Sequence, residues 1–160
     1  MYRNGRGVQQ DNAEAEQWFR RAADQGNAFA QFKLGQMYAN GNGVPQNDAE
    51  AVRWYRLAAD QGNADAQYSL GLMYRNGRGV QQDNAEAEQW LRRAAERGSD
   101  LAQLTLGVMY EKGMGVAQSD AEAERWFRRA ANQGNTDALA MLAEMDAPDA
   151  SSPYVVVLAI

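Results

Sequence analysis

The chain carries a pattern of apolar positions that repeats along its length. In residues 11–25, the apolar side chains Ala15, Trp18 and Ala22 fall at the three- and four-residue spacing of one helix face. In residues 28–39 the same spacing recurs. The apolar face of this second segment consists of Ala30, Leu34, Met37 and Tyr38. The pattern therefore predicts two consecutive amphipathic helices, which we call helix B (residues 11–25) and helix A (residues 28–39).

The two-helix unit returns with a period of 36 residues. All 15 glycines fall into four columns that follow this period. The tryptophans are Trp18, Trp54, Trp90 and Trp126, and Met-Tyr pairs begin at Met1, Met37, Met73 and Met109. Four units account for 144 residues and leave a C-terminal segment of 16. A period of this length predicts a solenoid, in which stacked units bury faces that no single unit can bury.

The ends of each predicted helix carry capping residues. Helix B opens with a capping box, in which Asp11 is followed three residues later by Glu14. The box recurs as Asn47/Glu50, Asp83/Glu86 and Ser119/Glu122. Gly26 predicts a left-handed stop, and Asn27 is the predicted N-cap of helix A. Gly-x-Gly loops begin at Gly5, Gly41, Gly77 and Gly113, and they predict turns rather than phosphate cradles, because no strand precedes them and no P-loop Lys follows.

Three further columns predict packing rather than ligand binding. Gly35, Gly71 and Gly107 lie inside helix A, where glycine costs about 1 kcal/mol relative to alanine. Their recurrence predicts that a neighbouring helix or ring approaches too closely for a Cβ. The tryptophan column predicts core packing at the junction of helices A and B. The arginine pairs predict a solvated outer face with ion pairs to upstream Glu, and they are Arg20-Arg21, Arg92-Arg93 and Arg128-Arg129.

The fixed columns resemble those of a known family. They read Ala30-Gln31-x-x-Leu34-Gly35-x-Met37-Tyr38-x-x-Gly41-x-Gly43-Val44, then Asp48-x-x-Ala51-x-x-Trp54-x-x-x-Ala58-Ala59-x-x-Gly62. This pattern resembles the Sel-one-like repeat (SLR), a cousin of the tetratricopeptide repeat, over about residues 1–144. The resemblance implies an all-α, right-handed superhelical solenoid of antiparallel helix pairs. It also implies that helix A lines the concave side and helix B the convex side of a scaffold or adaptor that binds other proteins.

The sequence predicts three regions, which are a repeat region (residues 1–145), a linker (residues 146–153) and an apolar C-terminal tail (residues 154–160). Residues 1–145 form the SLR solenoid, in which the first unit keeps only Met1-Tyr2 of its helix A. The last helix A has Ala143 and Asp146 where the family pattern has Gly and Tyr, which fits a terminal cap. Some secreted branches of the family carry a disulfide in each repeat, whereas this chain has no Cys. Residues 1–18 and 73–90 are identical, which indicates a recent duplication or an engineered sequence.

The candidate binding site is a stripe of helix A that varies between repeats. Its positions lie within about 60° of one another on a helical wheel, and the resemblance places them on the concave face. The stripe mixes apolar side chains with polar ones that suit a peptide backbone, and exposed apolar patches usually mark interaction surfaces. The alternative to a binding site is that these side chains only face solvent and vary freely between repeats. The stripe consists of Phe29, Lys33, Gln36 and Asn40, then Asp65, Ser69, Leu72 and Asn76, then Leu101, Thr105, Val108 and Lys112, and finally Met141.

Composition removes several classes of chemistry. The chain has no His and no Cys, which excludes Ser-His and Cys-His nucleophilic sites within it. Neither Lys33 nor Lys112 lies three residues after a Ser, so the Ser-x-x-Lys motif is absent. Because two of the 21 acidic residues can form a carboxylate pair, composition does not exclude hydrolase activity. A net charge of −5 argues against a nucleic-acid partner, because such binding depends on Lys and Arg. We expect no enzyme activity, no metal and no cofactor.

The C-terminal segment differs from everything before it. Residues 146–153 contain Pro148 and Pro153 and predict a flexible linker. Residues 154–160 are uniformly apolar with strong β propensity, so something should cover them. They can fold back and cap the last helix pair of their own molecule. They can instead enter the concave side of a neighbouring molecule, or pair with its tail, to give a homo-oligomer. A third alternative is that they bind another protein that recognises hydrophobic C-termini. The candidate anchors are Tyr154, Val156, Leu158 and Ile160.

The sequence thus favours a scaffold or adaptor that binds a protein or peptide partner. A self-assembling structural or designed module is the alternative, followed by a hydrolase. The longest apolar run has seven residues, residues 154–160, far below the roughly 20 that span a bilayer, so no transmembrane segment is expected. The compartment stays open: cytoplasmic if the chain is complete, periplasmic or secreted if an upstream signal has been removed.

Overall fold

The structure is a computed structural model that describes the backbone of residues 4–147 and the side chains of residues 11–147. The described residues form eight α-helices and no strand. The helices are α1 (Asn4–Asp24), α2 (Ala28–Asn40), α3 (Asp48–Asp60), α4 (Ala64–Asn76), α5 (Asn84–Glu96), α6 (Asp100–Lys112), α7 (Asp120–Ala131) and α8 (Thr136–Asp146). The odd-numbered helices correspond to helix B and the even-numbered ones to helix A. The predicted all-α solenoid of helix pairs with a 36-residue repeat is confirmed.

Each helix packs mainly on the helices that precede and follow it in the chain. The core is a row of side chains from the predicted apolar faces. Leu34, Leu70 and Leu106 of helix A are completely buried, and so are the paired alanines late in helices α3 and α5. Because no helix here exceeds 13 residues after α1, this tertiary packing stabilises helices that would be marginal alone.

The predicted caps are present in every unit from α2 onward. Asn27 accepts a hydrogen bond from the Ala30 N–H at 2.9 Å, and Asn47 accepts one from the Glu50 N–H at 3.1 Å. The second half of the capping box differs from the prediction. The N–H of Asn47 donates to the Tyr38 carbonyl at 2.9 Å. Glu50 pairs with Arg53 at 3.1 Å instead of returning to the cap.

The prediction was wrong for the start of helix B in the first unit. Gly5 and Gly7 lie inside α1 rather than in a turn, and Asp11 is in mid-helix rather than at an N-cap. In the next unit the equivalent loop packs closely on the preceding helix B. A Cβ on Gly43 would lie only 2.5 Å from the Asn12 carbonyl oxygen. No described helix precedes α1, so the first glycine pair lacks the surface that holds its equivalents in a turn.

The glycines inside helix A make room for side chains of the following helix B, as predicted. A Cβ on Gly71 would lie 2.7 Å from the Leu91 Cγ. Gly35 faces the ring of Tyr55 in the same way, and Gly107 faces the ring of Phe127. The contact allows the two helices to approach closely, which explains why the helix-propensity cost of glycine is tolerated three times.

Candidate functional site

The predicted stripe runs across the even-numbered helices, and twelve of its thirteen members are accessible to solvent. Phe29, Asn40, Asp65, Asn76, Leu101 and Lys112 are exposed, and Lys33, Gln36, Ser69, Leu72, Val108 and Met141 are partly exposed. Thr105 is buried, and its hydroxyl donates to the Leu101 carbonyl at 2.8 Å. In α2, α4 and α6, the fixed columns that begin at Ala30, Leu34, Gly35 and Met37 are buried, and the tyrosine column of Tyr38 is half-buried. Variation between repeats and accessibility therefore coincide on one stripe.

The stripe begins with an aromatic and cationic group on α2. Phe29 is 57% exposed and meets Phe19 of α1 edge to face, with ring centroids 6.5 Å apart. The Lys33 ammonium lies 5.3 Å from the Phe29 centroid and 5.5 Å from that of Phe32. It also donates to the Gln36 Oε1 at 3.2 Å. Cation–π attraction and this hydrogen bond hold the ammonium in place at the surface.

A small cavity of about 250 Å³ joins this part of the stripe to α1. Three stripe residues line it together with side chains that sequence reasoning did not select. The lining consists of Lys33, Gln36 and Asn40 from the stripe, with Asn12, Ala15, Phe19, Met37 and Asn42. The signal that could have selected Asn12 is variation in its own column, which alternates Asn12, Asp48, Asn84 and Asp120 along helix B.

The middle of the stripe has a polar floor beneath Ser69. Tyr55 is buried, which raises the pKa of its hydroxyl to about 12, and a hydrogen bond with Ser69 opposes that rise. The Arg78 Nη2 lies 2.7 Å from the Asp48 Oδ1 and 3.4 Å from the Ala39 carbonyl oxygen. These residues lie outside the predicted stripe. The Arg78 bonds join the loop after α4 to the start of α3 and to the end of α2.

The far end of the stripe is mainly apolar. Leu101 is 47% exposed, and Val108 and Met141 are partly buried against the cluster that contains Phe127 and Ala138. Lys112 is the exposed cationic exception at the end of α6. The stripe therefore changes from aromatic and cationic on α2, through mainly polar on α4, to mainly aliphatic on α6 and α8.

Arginine and tyrosine side chains connect the first three helices B (α1, α3 and α5) to the following helix A. Arg20 donates to the Tyr38 hydroxyl at 2.6 Å while it pairs with Glu16 at 2.5 Å. Arg92, Tyr110 and Glu88 repeat this arrangement. The ion pairs of Arg20, Arg92 and Arg128 with upstream Glu confirm that part of the prediction. The tyrosine partners were missed, although their constant separation of 18 residues was a readable signal.

Three of the four tryptophans are core residues, as predicted, and one is not. Trp54, Trp90 and Trp126 are 2%, 6% and 1% exposed. Trp18 is 63% exposed, so the prediction was wrong at that position. Trp54 packs on Leu34 and Met37 of the preceding helix A. No helix within the described range precedes α1 to cover Trp18 in the same way.

Two negative findings hold for the part of the chain that the structure describes. Within it, no cluster of three or more His, Cys, Asp or Glu side chains has a geometry that suits a metal ion. No helix in that part combines the length and the apolar character needed to cross a bilayer. The tail anchors Tyr154, Val156, Leu158 and Ile160 lie outside the described residues.

Comparison with known proteins identifies the repeat. The model of the Sel1 repeat matches residues 1–27, 28–63, 64–99 and 100–135. A solved structure of c5321, a protective antigen of uropathogenic Escherichia coli that displays an SLR fold, is 46% identical with a TM-score of 0.80 over 81% of this chain. A Sel1 repeat protein from Oxalobacter formigenes is 41% identical with a TM-score of 0.79 over 82% of this chain.

A third similar structure shows the fold alone. Cysteine-rich protein B of Helicobacter pylori is 23% identical, with a TM-score of 0.68 over 84% of this chain and 96% of its own. The chain spans only 28% of the E. coli antigen and 54% of the O. formigenes protein. No curated protein sequence matches the chain.

Proposed function

Because the chain belongs to the Sel1 repeat family, whose members are generally protein–protein interaction scaffolds, we propose that it binds a peptide or protein partner along the stripe of α2, α4, α6 and α8. The proposed role is that of a non-catalytic adaptor without a cofactor. The observation that carries the proposal is that variable positions and accessible positions coincide on this stripe.

The chemistry of the stripe supports an extended peptide as the ligand. Accessible apolar side chains such as Leu72, Leu101 and Val108 offer contacts for apolar side chains of a peptide. Between them, Ser69 and the carboxamides of Asn40 and Asn76 can hydrogen-bond a peptide backbone. A fixed arrangement on rigid helices also keeps the entropic cost of binding low.

The C-terminal segment belongs to the same proposal. Residues 154–160 carry no charged side chain, and the segment docks on the body of its own molecule or of a neighbouring one. Covering it removes an apolar stretch with high β propensity from water. Docking between molecules would make the chain a self-assembling module rather than a monomeric adaptor, and light scattering over a range of protein concentrations distinguishes the two.

The role of the stripe can be tested with peptides that are selected from a random display library for binding to the unmodified chain. We expect the triple variant Leu72→Asp, Leu101→Asp, Val108→Asp to bind the selected peptides at least about tenfold more weakly, which corresponds to about 1.4 kcal/mol or more. The measurement is calorimetric titration, with helical content checked by circular dichroism.

Leu57→Asp is the matched control, because Leu57 is a 41% exposed leucine on helix B, away from the stripe. Its affinity for the selected peptides should equal that of the unmodified chain. Peptides that bind the folded triple variant as tightly as the unmodified chain would show that the stripe is not the binding surface.

A further inference from the structure

The outward side of α8 is an apolar face at the end of the described helices. In α2, α4 and α6 the equivalent side receives the following helix B. On α8, Leu139 is 52% exposed, and Leu142 and Met145 are only partly buried. Aliphatic side chains at this density on a helix surface favour burial against another apolar group.

This face lacks a hydrogen bond that α2 and α6 make to the segment after the following helix B. The Gln31 Oε1 accepts from Gln61, which follows α3, at 2.7 Å, and the Gln103 Oε1 accepts from Gln133, which follows α7, at 2.9 Å. The Gln67 Oε1 of α4 has no such partner among the described residues. The equivalent position on α8 is Leu139, which cannot accept that bond. The replacement suits an apolar cover better than a further helix B.

The same face has also gained a Cβ at the position of closest approach. Gly107 accommodates the ring of Phe127, whereas the equivalent residue of α8 is Ala143. A second copy that continued the solenoid would place its Phe19, the residue of the Phe127 column, against that Cβ. Stacking of a second copy in the geometry of the internal repeats therefore meets a steric conflict as well as a missing hydrogen bond.

We infer that residues 154–160 of the same molecule cover this face of α8. The inference rests on the tail docking of the proposed function and assigns its seat. The linker of six residues, 148–153, reaches at most about 20 Å, and the eleven residues of α8 extend about 16 Å. The segment can therefore return along the whole of α8 as far as Leu139.

The residue pattern of the segment fits an extended cover. In an extended conformation Tyr154, Val156 and Leu158 point to one side together with Ile160. An extended chain is thinner than a helix, so it can pass Ala143 where a helix B cannot. A short linker gives an effective concentration in the millimolar range, so docking within one molecule outcompetes exchange between molecules in dilute solution.

Cysteine cross-linking tests the seat, because the unmodified chain has no Cys. The full chain is prepared with Val156→Cys combined with Leu139→Cys on the α8 face, with Leu72→Cys on the stripe, or with Leu57→Cys on helix B. Leu57 is the matched control, since it is an exposed leucine on neither surface. Each protein is treated in dilute solution with a short bis-maleimide, and the products are identified by intact mass and peptide mapping.

The expected product is an internally linked monomer in at least about fivefold higher yield for Leu139→Cys than for the Leu57→Cys control. A preferred link to Leu72→Cys would overturn the seat but leave tail docking intact. Covalent dimers through Leu139→Cys would overturn docking within one molecule. Yields at both sites equal to the control would overturn tail docking itself, without affecting peptide binding by the stripe.

Limited proteolysis of the unmodified full chain gives a second measurement. Chymotrypsin should cleave after Tyr154 and Leu158 at least about tenfold more slowly than in a free peptide of residues 148–160, because docking buries these side chains. Leu139→Asp changes an exposed side chain, so the fold is retained, and it should abolish that protection. Cleavage of the unmodified chain at the free-peptide rate would overturn the inference.

Discussion

One column of the repeat shows how a single atom decides what can pack on a helix. Gly35, Gly71 and Gly107 accept a side chain of the next helix B directly over the helix backbone. Ala143 occupies the same column on α8, where no helix follows within the described residues. The presence or absence of one Cβ therefore distinguishes α8 from the other three described helices A.

Gly107→Ala should destabilise the protein, although alanine favours helix by about 1 kcal/mol. The new Cβ collides with the ring of Phe127, and overpacking of this kind costs about 1–3 kcal/mol. The free energy of unfolding in urea measures the difference. Ala143→Gly is the control in the same column, and it should cost only the helix-propensity difference. A Gly107→Ala variant more stable than the unmodified chain would contradict the close approach.

At the scale of the helix, a buried glutamine connects α2 and α6 to the units on both sides. The Gln103 Nε2 donates to the Ala95 carbonyl of α5 at 2.9 Å, and its Oε1 accepts from Gln133, which follows α7. Gln31 makes the same pair of bonds, to Ala23 of α1 and to Gln61, which follows α3. Gln67 of α4 makes only the first of them, to the Ala59 carbonyl at 3.0 Å. A buried polar side chain with both functions satisfied fixes the register of three helices.

Gln103→Leu should therefore cost about 1–3 kcal/mol, because it removes two hydrogen bonds worth about 0.5–1.5 kcal/mol each, while the Ala95 carbonyl keeps the Gly98 N–H at 3.1 Å. Thermal and urea unfolding measure the loss. Gln133→Leu removes only the more exposed of the two bonds, so it should cost less than about 1 kcal/mol. Equal costs for the two variants would show that the bond to Ala95 adds no stability.

Local signals predicted most of these helices, and their failures have one cause. Apolar spacing, Asn caps and loop glycines predicted α2 to α8, because such features act within a few residues. Gly5, Gly7 and Trp18 were misassigned because the equivalent residues of later units pack on a preceding unit, and no described helix precedes α1. Gln31 and the stripe neighbours Asn12 and Tyr55 were missed because their partners lie on other helices. Spacing within one helix carries no information about such partners.

At the scale of the whole molecule, the two ends of the described solenoid differ from its interior. Each interior helix packs on both chain neighbours, whereas α1 packs substantially only on α2 among the described helices. The tryptophan column records the difference, since Trp54 is 2% exposed and Trp18 is 63% exposed. Stability in such an array is a sum over units and their interfaces, so it should decrease toward an end with one interface.

Amide hydrogen exchange should reveal that decrease. Amides of residues 12–24 in α1 should exchange at least about tenfold faster than the equivalent amides of α3, because α1 opens by breaking one interface instead of two. Mass spectrometry of the full chain measures both helices in one sample, and α5 serves as a second interior reference. Equal protection of α1 and α3 would show that the exposed face of α1 is covered in solution.

The short sequence separation of the tertiary hydrogen bonds also affects how the protein folds during its synthesis on the ribosome. The Arg–Tyr bonds join residues 18 positions apart, and the Gln–Gln bonds join residues 30 apart. Chains with such local contacts fold quickly, and folding during synthesis proceeds from the N-terminus. The pair α1 and α2 can close while α7 has still to be translated. Each new unit then adds to a surface that is already folded, which shortens the time for which apolar faces are open to aggregation.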